Sequence, residues 1–128
     1  MEKGIKGSQS VVVTESNTAK AFESGTLDVF ATPALAALME KTAQLSIADY
    51  LEDGFTTVGT ALDIQHIAAT PIGMQVTCES ELIEIDRKRL VFSVRAFDEC
   101  QEIGNGTHTR FIVNSEKFFE KANAKKLK

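Results

Sequence analysis

A change of hydrophobic period at Gly54 constrains this chain more than any other feature. Upstream of it, Thr32 reads as a good N-cap, and Pro33 follows at the first helical position, where its missing N–H costs nothing. The next residues, Ala34–Leu51, are rich in Ala, Leu and Met. Leu35, Leu38, Met39, Thr42 and Leu45 recur at spacings of three and four, which predicts a helix with one apolar face. Several alanines lie off that stripe, so the first turns carry few strongly polar positions. A helix of that kind is expected to be enclosed by other structure. Glu52-Asp53-Gly54 ends it, with glycine as the stop.

Downstream the period is two. Phe55–Ile67 reads as a long strand, closed by a turn at Ala69–Gly73. In Met74–Glu84, Met74, Val76, Cys78, Ser80 and Leu82 alternate with polar residues. Asp86-Arg87-Lys88 makes a polar turn, and Arg89–Asp98 alternates again, with Leu90, Phe92, Val94 and Ala96 on one face. Gln101–Phe119 supplies a last strand, bent near Gly104 and Gly106. Ahead of the helix, Ser8–Thr14 is β-branched and reads as a first strand, and Ala21–Phe30 as a loop. One strand, one enclosed helix and a run of hairpin-joined strands imply α+β architecture with an antiparallel sheet. A single sheet wrapped around the helix satisfies every apolar face, which is the hotdog arrangement.

The chain has 128 residues, the size of one domain, with residues 1–7 and 120–128 expected to be loosely ordered. A domain this small gains from burying further surface by self-association. Its net charge of −4 gives no general attraction to nucleic acid or an anionic membrane. MEKGIKGSQS lacks the apolar core of a secretory signal, and no stretch approaches the roughly 20 apolar residues of a membrane-spanning helix. The expectation is a cytoplasmic protein in which Cys78 and Cys100 are reduced thiols. Two histidines and two cysteines in unrelated strands make no metal site, and neither a metal nor a redox cofactor is expected.

Three polar residues interrupt apolar or small-residue surroundings. Glu40 lies mid-helix, either buried at a cost or on a solvent stripe with Lys41 and Gln44. His66 lies late in the first long strand, as a structural residue or a base. Thr32 is either a cap or a hydroxyl at a helix N-terminus, where unpaired amides favour negative charge. Gly59 is either a bulge or a backbone that a substrate can approach closely. Together they supply what thioester cleavage requires: a nucleophile or oriented water, a proton acceptor and a bare stretch of backbone.

The runs Gly59-Thr60-Ala61 and His66-Ile67-Ala68-Ala69-Thr70-Pro71 with Gly73, and later Glu102–His108 with Glu116-Lys117-Phe118, resemble the fluoroacetyl-coenzyme A thioesterase family of hotdog proteins. Phe30-Ala31-Thr32 with Glu40 eight residues on belongs to the same pattern, and the likeness covers roughly residues 29–119. The resemblance implies hydrolysis of short acyl-coenzyme A, with Thr32, Glu40 and His66 as the hydrolytic set and the Gly59 amide contacting substrate. It also implies a homodimer with sites at the subunit interface. The fluoroacyl-selective members shield the acyl group with aromatic side chains ahead of the threonine, whereas Glu23–Val29 contains none. His108 falls in a family-like run and receives no specific role. Two other classes stand beside the hydrolase: a non-catalytic acyl-coenzyme A binder using the same pocket, and a hotdog hydratase, for which no local histidine–acid pair is found.

Overall fold

The structure, a computed structural model, describes residues 1–127. In chain order it contains β1 (Lys6–Val12), α1 (Thr32–Ile47), β2 (Phe55–His66), β3 (Gln75–Asp86), β4 (Arg89–Phe97), β5 (Glu102–Asn114) and α2 (Ser115–Asn123). Single 3₁₀ turns follow the two helices, at Ala48–Tyr50 and Ala124–Leu127. The five strands form one antiparallel sheet in the order β1-β3-β4-β5-β2, so β1 and β2 are its edges. The chain crosses from one edge to the other through α1, which packs on all five strands.

The core lies between α1 and the face of the sheet that the alternation points toward it. Val76, Cys78 and Leu82 of β3 and Leu90, Phe92, Val94 and Ala96 of β4 are fully buried there. Leu35, Leu38, Met39, Ala43 and Ile47 of α1 meet them. Burial of each larger side chain contributes about 1.5–3 kcal/mol. A one-residue slip of β4 would turn all four of its core residues outward, so the register is strongly specified.

The helix departs from its expected outline in two ways. Its α-helical part stops at Ile47, and Gly54 (φ +86°) instead shapes the turn into β2. Its far face is open within this chain: Ala37, Lys41 and Gln44 are exposed, and Leu45, read as part of the apolar stripe, is 43% exposed. The last strand is also shorter than expected. The Asn114 side chain accepts the Lys117 N–H, a capping bond that starts α2 where strand was predicted to continue to Phe119.

Two glycines let β5 approach its neighbours. A Cβ at Gly104 would lie 2.8 Å from Leu35 Cδ2 and 3.0 Å from the Gln65 carbonyl oxygen. At Gly106 it would lie 2.2 Å from the Asp63 carbonyl oxygen and 2.7 Å from Ile64 Cα. The second clash is with backbone, which no rotamer change relieves. Gly106→Ala is therefore expected to destabilise the fold by about 2–4 kcal/mol in urea titration. A change under about 0.5 kcal/mol would show that β2 and β5 can separate freely.

Candidate active site

The start of α1 and the end of β2 meet at one end of the molecule. Ala31 is the N-cap, in extended conformation, and Thr32 is the first helical residue with no side-chain cap. This corrects the reading of Thr32 as N-cap. With the backbone already turned into the helix, the Thr32 hydroxyl is released from capping and lies 2.7 Å from His66 Nδ1. The approach to Thr32 is held by main-chain bonds: Phe30 N–H to the Thr70 carbonyl at 2.8 Å, and Ala31 N–H to the Asn17 carbonyl at 3.0 Å.

Burial lowers the His66 pKa below its ordinary value, and the Ala68 backbone only partly offsets this. The ring is therefore neutral at pH 7, with one nitrogen free to accept a proton. Its Nε2 is buried and has no hydrogen-bond partner. A neutral imidazole against a hydroxyl at a helix start has the groups that a base and a nucleophile would need. The pair lies in the wall of a cavity of about 340 Å³, lined also by Ala19, Ser24, Val29, Phe30, Ile67, Ala68 and Ala69. The loop forming one side is ordered by the Ala19 N–H to Val29 carbonyl bond and a bridge between Thr18 and Phe30. Among the described residues lining the cavity Phe30 is the one phenyl ring, and Phe22 lines a separate groove that Phe30 also borders, with Val11 and Leu38.

Glu40 and Gly59 form a second group. Glu40 is half-buried, eight residues and thus about 12 Å along the axis from Thr32. A Cβ at Gly59 would lie 3.0 Å from Glu40 Oε1, 3.1 Å from His108 Cε1 and 3.3 Å from Arg110 Nη1. The missing side chain is what leaves this space between β2 and α1. The β2–β5 register also shifts between Gly59 and Ala61, so the glycine sits at a bulge as well. The structure thus brings Thr32 to His66 and Glu40 to Gly59, but keeps the two pairs apart within one chain.

Two further residues of this second group carry no role in the sequence reading. Arg110, 7% exposed, donates from Nε to Thr57 Oγ1 at 2.7 Å and from Nη2 to the Thr57 carbonyl at 2.9 Å. Its Nη1 donates to His108 Nε2 at 3.1 Å, while His108 Nδ1 donates to the Ala61 carbonyl at 2.8 Å. The bond from Arg110 requires a neutral His108 that carries its proton on Nδ1. Burial lowers its pKa, the Ala61 backbone raises it, and the Arg110 charge outweighs that of Glu40 in lowering it again. Among the described residues no carboxylate lies within ion-pair distance of Arg110. Strand alternation was the available signal, since it puts His108 and Arg110 on the side of β5 that also carries Gly104 and Gly106. Cys78 is a buried free thiol in the core and Cys100 an exposed one. Among the described residues no three His, Cys, Asp or Glu side chains are grouped to hold a metal ion.

The family model described as fluoroacetyl-CoA-specific thioesterase matches residues 13–116. The chain belongs to that family. A fluoroacetyl-CoA thioesterase of Streptantibioticus cattleyicolor is 43% identical over 98 residues, covering 77% of this chain and 70% of that one. A solved structure of the fluoroacetyl-CoA thioesterase FlK, 36% identical, superposes with a TM-score of 0.93 over 98% of this chain and 97% of that one. A thioesterase-superfamily member from Thermus thermophilus, 25% identical, superposes with a TM-score of 0.90 over 98% of this chain and 93% of that one. The α+β hotdog fold expected from the sequence is the fold of this thioesterase family, and the protein is a thioester hydrolase. No helix among the described residues is long and apolar enough to cross a membrane.

The two histidines of this thioesterase-family chain give a direct check on the electrostatics. In an NMR titration both rings should titrate below 6.5, the ordinary value, because burial disfavours the imidazolium. A His66 midpoint at or above 6.5 would contradict a buried neutral base.

Proposed function

We propose that this protein hydrolyses short acyl-coenzyme A thioesters at a site completed by two chains. Thr32 and His66 come from one chain, and Glu40 and Gly59 from the other. The observation that carries the reading is the 2.7 Å contact between Thr32 Oγ1 and His66 Nδ1 in the wall of an open cavity. A structure of a mutant of the FlK enzyme in complex with fluoroacetate and CoA supports the substrate class.

The chemistry follows from the groups. Either Thr32 Oγ1 or a water it orients supplies the oxygen that bonds to the thioester carbonyl carbon. His66 takes the proton given up in that step. The C–S bond breaks, and coenzyme A leaves as a thiolate that the protonated His66 neutralises. If Thr32 attacks, water then hydrolyses the acyl-enzyme and returns the hydroxyl. Glu40 activates or orients the attacking group, and the bare Gly59 backbone admits the thioester closely.

Three features support a homodimer. The far face of α1 is open, β2 is a 12-residue edge strand, and Glu40 stands too far along its own helix to serve its own Thr32. Gly59 and His66 lie equidistant from the midpoint between Leu62 and Asp63. Antiparallel pairing of two β2 strands about that midpoint would set Gly59 of one chain, with Glu40 behind it, beside His66 of the other. A reducing, cytoplasmic setting goes with the two free thiols.

Thr32→Ala and Glu40→Ala chains should each be nearly inactive in a free-thiol release assay. Thr32→Ala should melt close to the parent, because its hydroxyl caps nothing. Mixed after subunit exchange, the two variants should regain up to about half the parent's activity per hybrid dimer, since one intact site is restored. No recovery despite verified exchange would put both residues in one chain's site. A parent that releases no thiol from any acyl-coenzyme A, while still binding it, would favour a non-catalytic binder.

The acyl preference follows from the cavity lining. Glu23–Val29 contributes Ser24 and Val29 to it but no aromatic side chain. Acetyl-, propionyl- and fluoroacetyl-coenzyme A should therefore be turned over with kcat/KM values within about tenfold of each other, about 1.4 kcal/mol in the barrier. A ratio of several hundred favouring the fluorinated substrate in competition would overturn this.

A further inference from the structure

We infer that Asp98 is a positioning residue of this site, acting on the Thr32–His66 pair through the buried hydroxyl of Thr70. The inference rests on the reading of Thr32 and His66 as the hydrolytic pair. Thr70 is fully buried and lies four residues beyond His66, just past the cavity-wall residues Ala68 and Ala69. Its carbonyl accepts the Phe30 N–H at 2.8 Å, two residues before Thr32. A bridge between Val29 and Pro71 repeats the link one residue further out on each strand. Thr70 is therefore the point where the segment leaving His66 is tied to the segment arriving at Thr32.

What fixes Thr70 comes from a different connection. Its hydroxyl donates to Asp98 Oδ2 at 2.9 Å, and Asp98 stands at the β4–β5 turn. The other carboxylate oxygen, Oδ1, accepts the Cys100 and Gln101 N–H groups at 2.8 and 3.0 Å. The Asp98 N–H donates to the Gln101 carbonyl at 2.9 Å. One oxygen thus organises the turn and the other accepts from Thr70. A turn cap needs only the first. Partial burial alone would raise the Asp98 pKa, but the bonds from Cys100, Thr70 and Gln101 hold it below the usual carboxylate value. Asp98 stays ionised near neutral pH and serves as a fixed acceptor. With Oδ2 removed, a buried hydroxyl would lose its partner and the turn carrying the cavity wall would shift. Displacement of a reacting group by about 1 Å can cost on the order of a hundredfold in rate.

The experiment compares Thr70→Val, Thr70→Ser, Asp98→Ala and Asp98→Asn in the full chain, by kcat, KM and melting temperature. Thr70→Val keeps the shape and loses the hydroxyl, and should cut kcat about 10- to 100-fold with KM within about threefold. Thr70→Ser keeps the donor and should stay near the parent. Asp98→Asn keeps an acceptor for the turn amides and can donate its side-chain N–H to Thr70 Oγ1, so it should recover most of what Asp98→Ala loses. The double variant Thr70→Val/Asp98→Ala should be no slower than the worse single variant, because both act through one bond. A folded Thr70→Val with parental kcat would overturn the inference, leaving Asp98 a turn cap. So would additive losses in the double variant. Should Asp98→Ala fail to fold, the Thr70→Val and Thr70→Ser pair decides alone. Thr32→Ala and His66→Ala are run beside them: if these are inactive and Thr70→Val is not, only the positioning role fails. If they retain full turnover, the reading of the site fails with it.

Discussion

The seating of α1 on the sheet governs everything else in the molecule. Leu35 and Met39 come down on β5 where Gly104 offers no side chain, with Leu35 Cδ2 only 2.8 Å from where a Cβ would stand. Once those two residues are in place, helix geometry leaves no freedom for the rest of α1. Thr32, one turn earlier, must project at the end of β2. Glu40, next after Met39, must project over the gap left by Gly59. A bulkier β5 would lift the helix and separate both groups from their partners on β2. Fold and site therefore depend on the same close contact.

Much of this was legible from pattern. The three-and-four spacing of Leu35, Leu38, Met39 and Thr42 named the buried face of α1, and the alternation of Leu90, Phe92, Val94 and Ala96 named the buried face of β4. Short-range chemistry was harder to read. Asn114-Ser115-Glu116 could continue a strand or cap a helix, and only the bond from Lys117 N–H to Asn114 decides it. Thr32 beside Pro33 has the signature of a cap, yet Ala31 takes the capping position and the threonine turns to a residue 34 positions away. Leu45 satisfies the helical period and is still exposed, because the sheet of one chain covers only one side of α1. Alternation sets Arg110 on the same face of β5 as Gly104, but it does not say what a buried arginine there would bind. Its partner Thr57 comes from register, a property of the paired strands rather than of either sequence, while His108 is its neighbour two residues back on β5.

The two candidate groups differ in electrical character. The Thr32–His66 group holds a neutral imidazole, made so by burial. The other group carries charged side chains, Glu40 and Arg110. Its guanidinium is buried with neutral acceptors on three sides and no carboxylate within ion-pair range among the described residues. A cation held in that way by Thr57 and His108 is preorganised, its position set before any ligand arrives.

His108 gives this arrangement a weakness. Both ring nitrogens are committed, Nδ1 as donor to Ala61 and Nε2 as acceptor from Arg110. A second proton would turn Nε2 into a donor facing a donor, so the folded chain resists the charge, whereas the unfolded chain accepts it near the ordinary value of 6.5. With the folded value depressed, the ring favours the native state fully above 6.5, and that contribution drains away as the pH falls toward the folded value. The cost of acid at His108 therefore falls on the β2–β5 pair, the strands that carry Gly59 and Arg110. Mild acid would strain the Arg110–His108 bond itself.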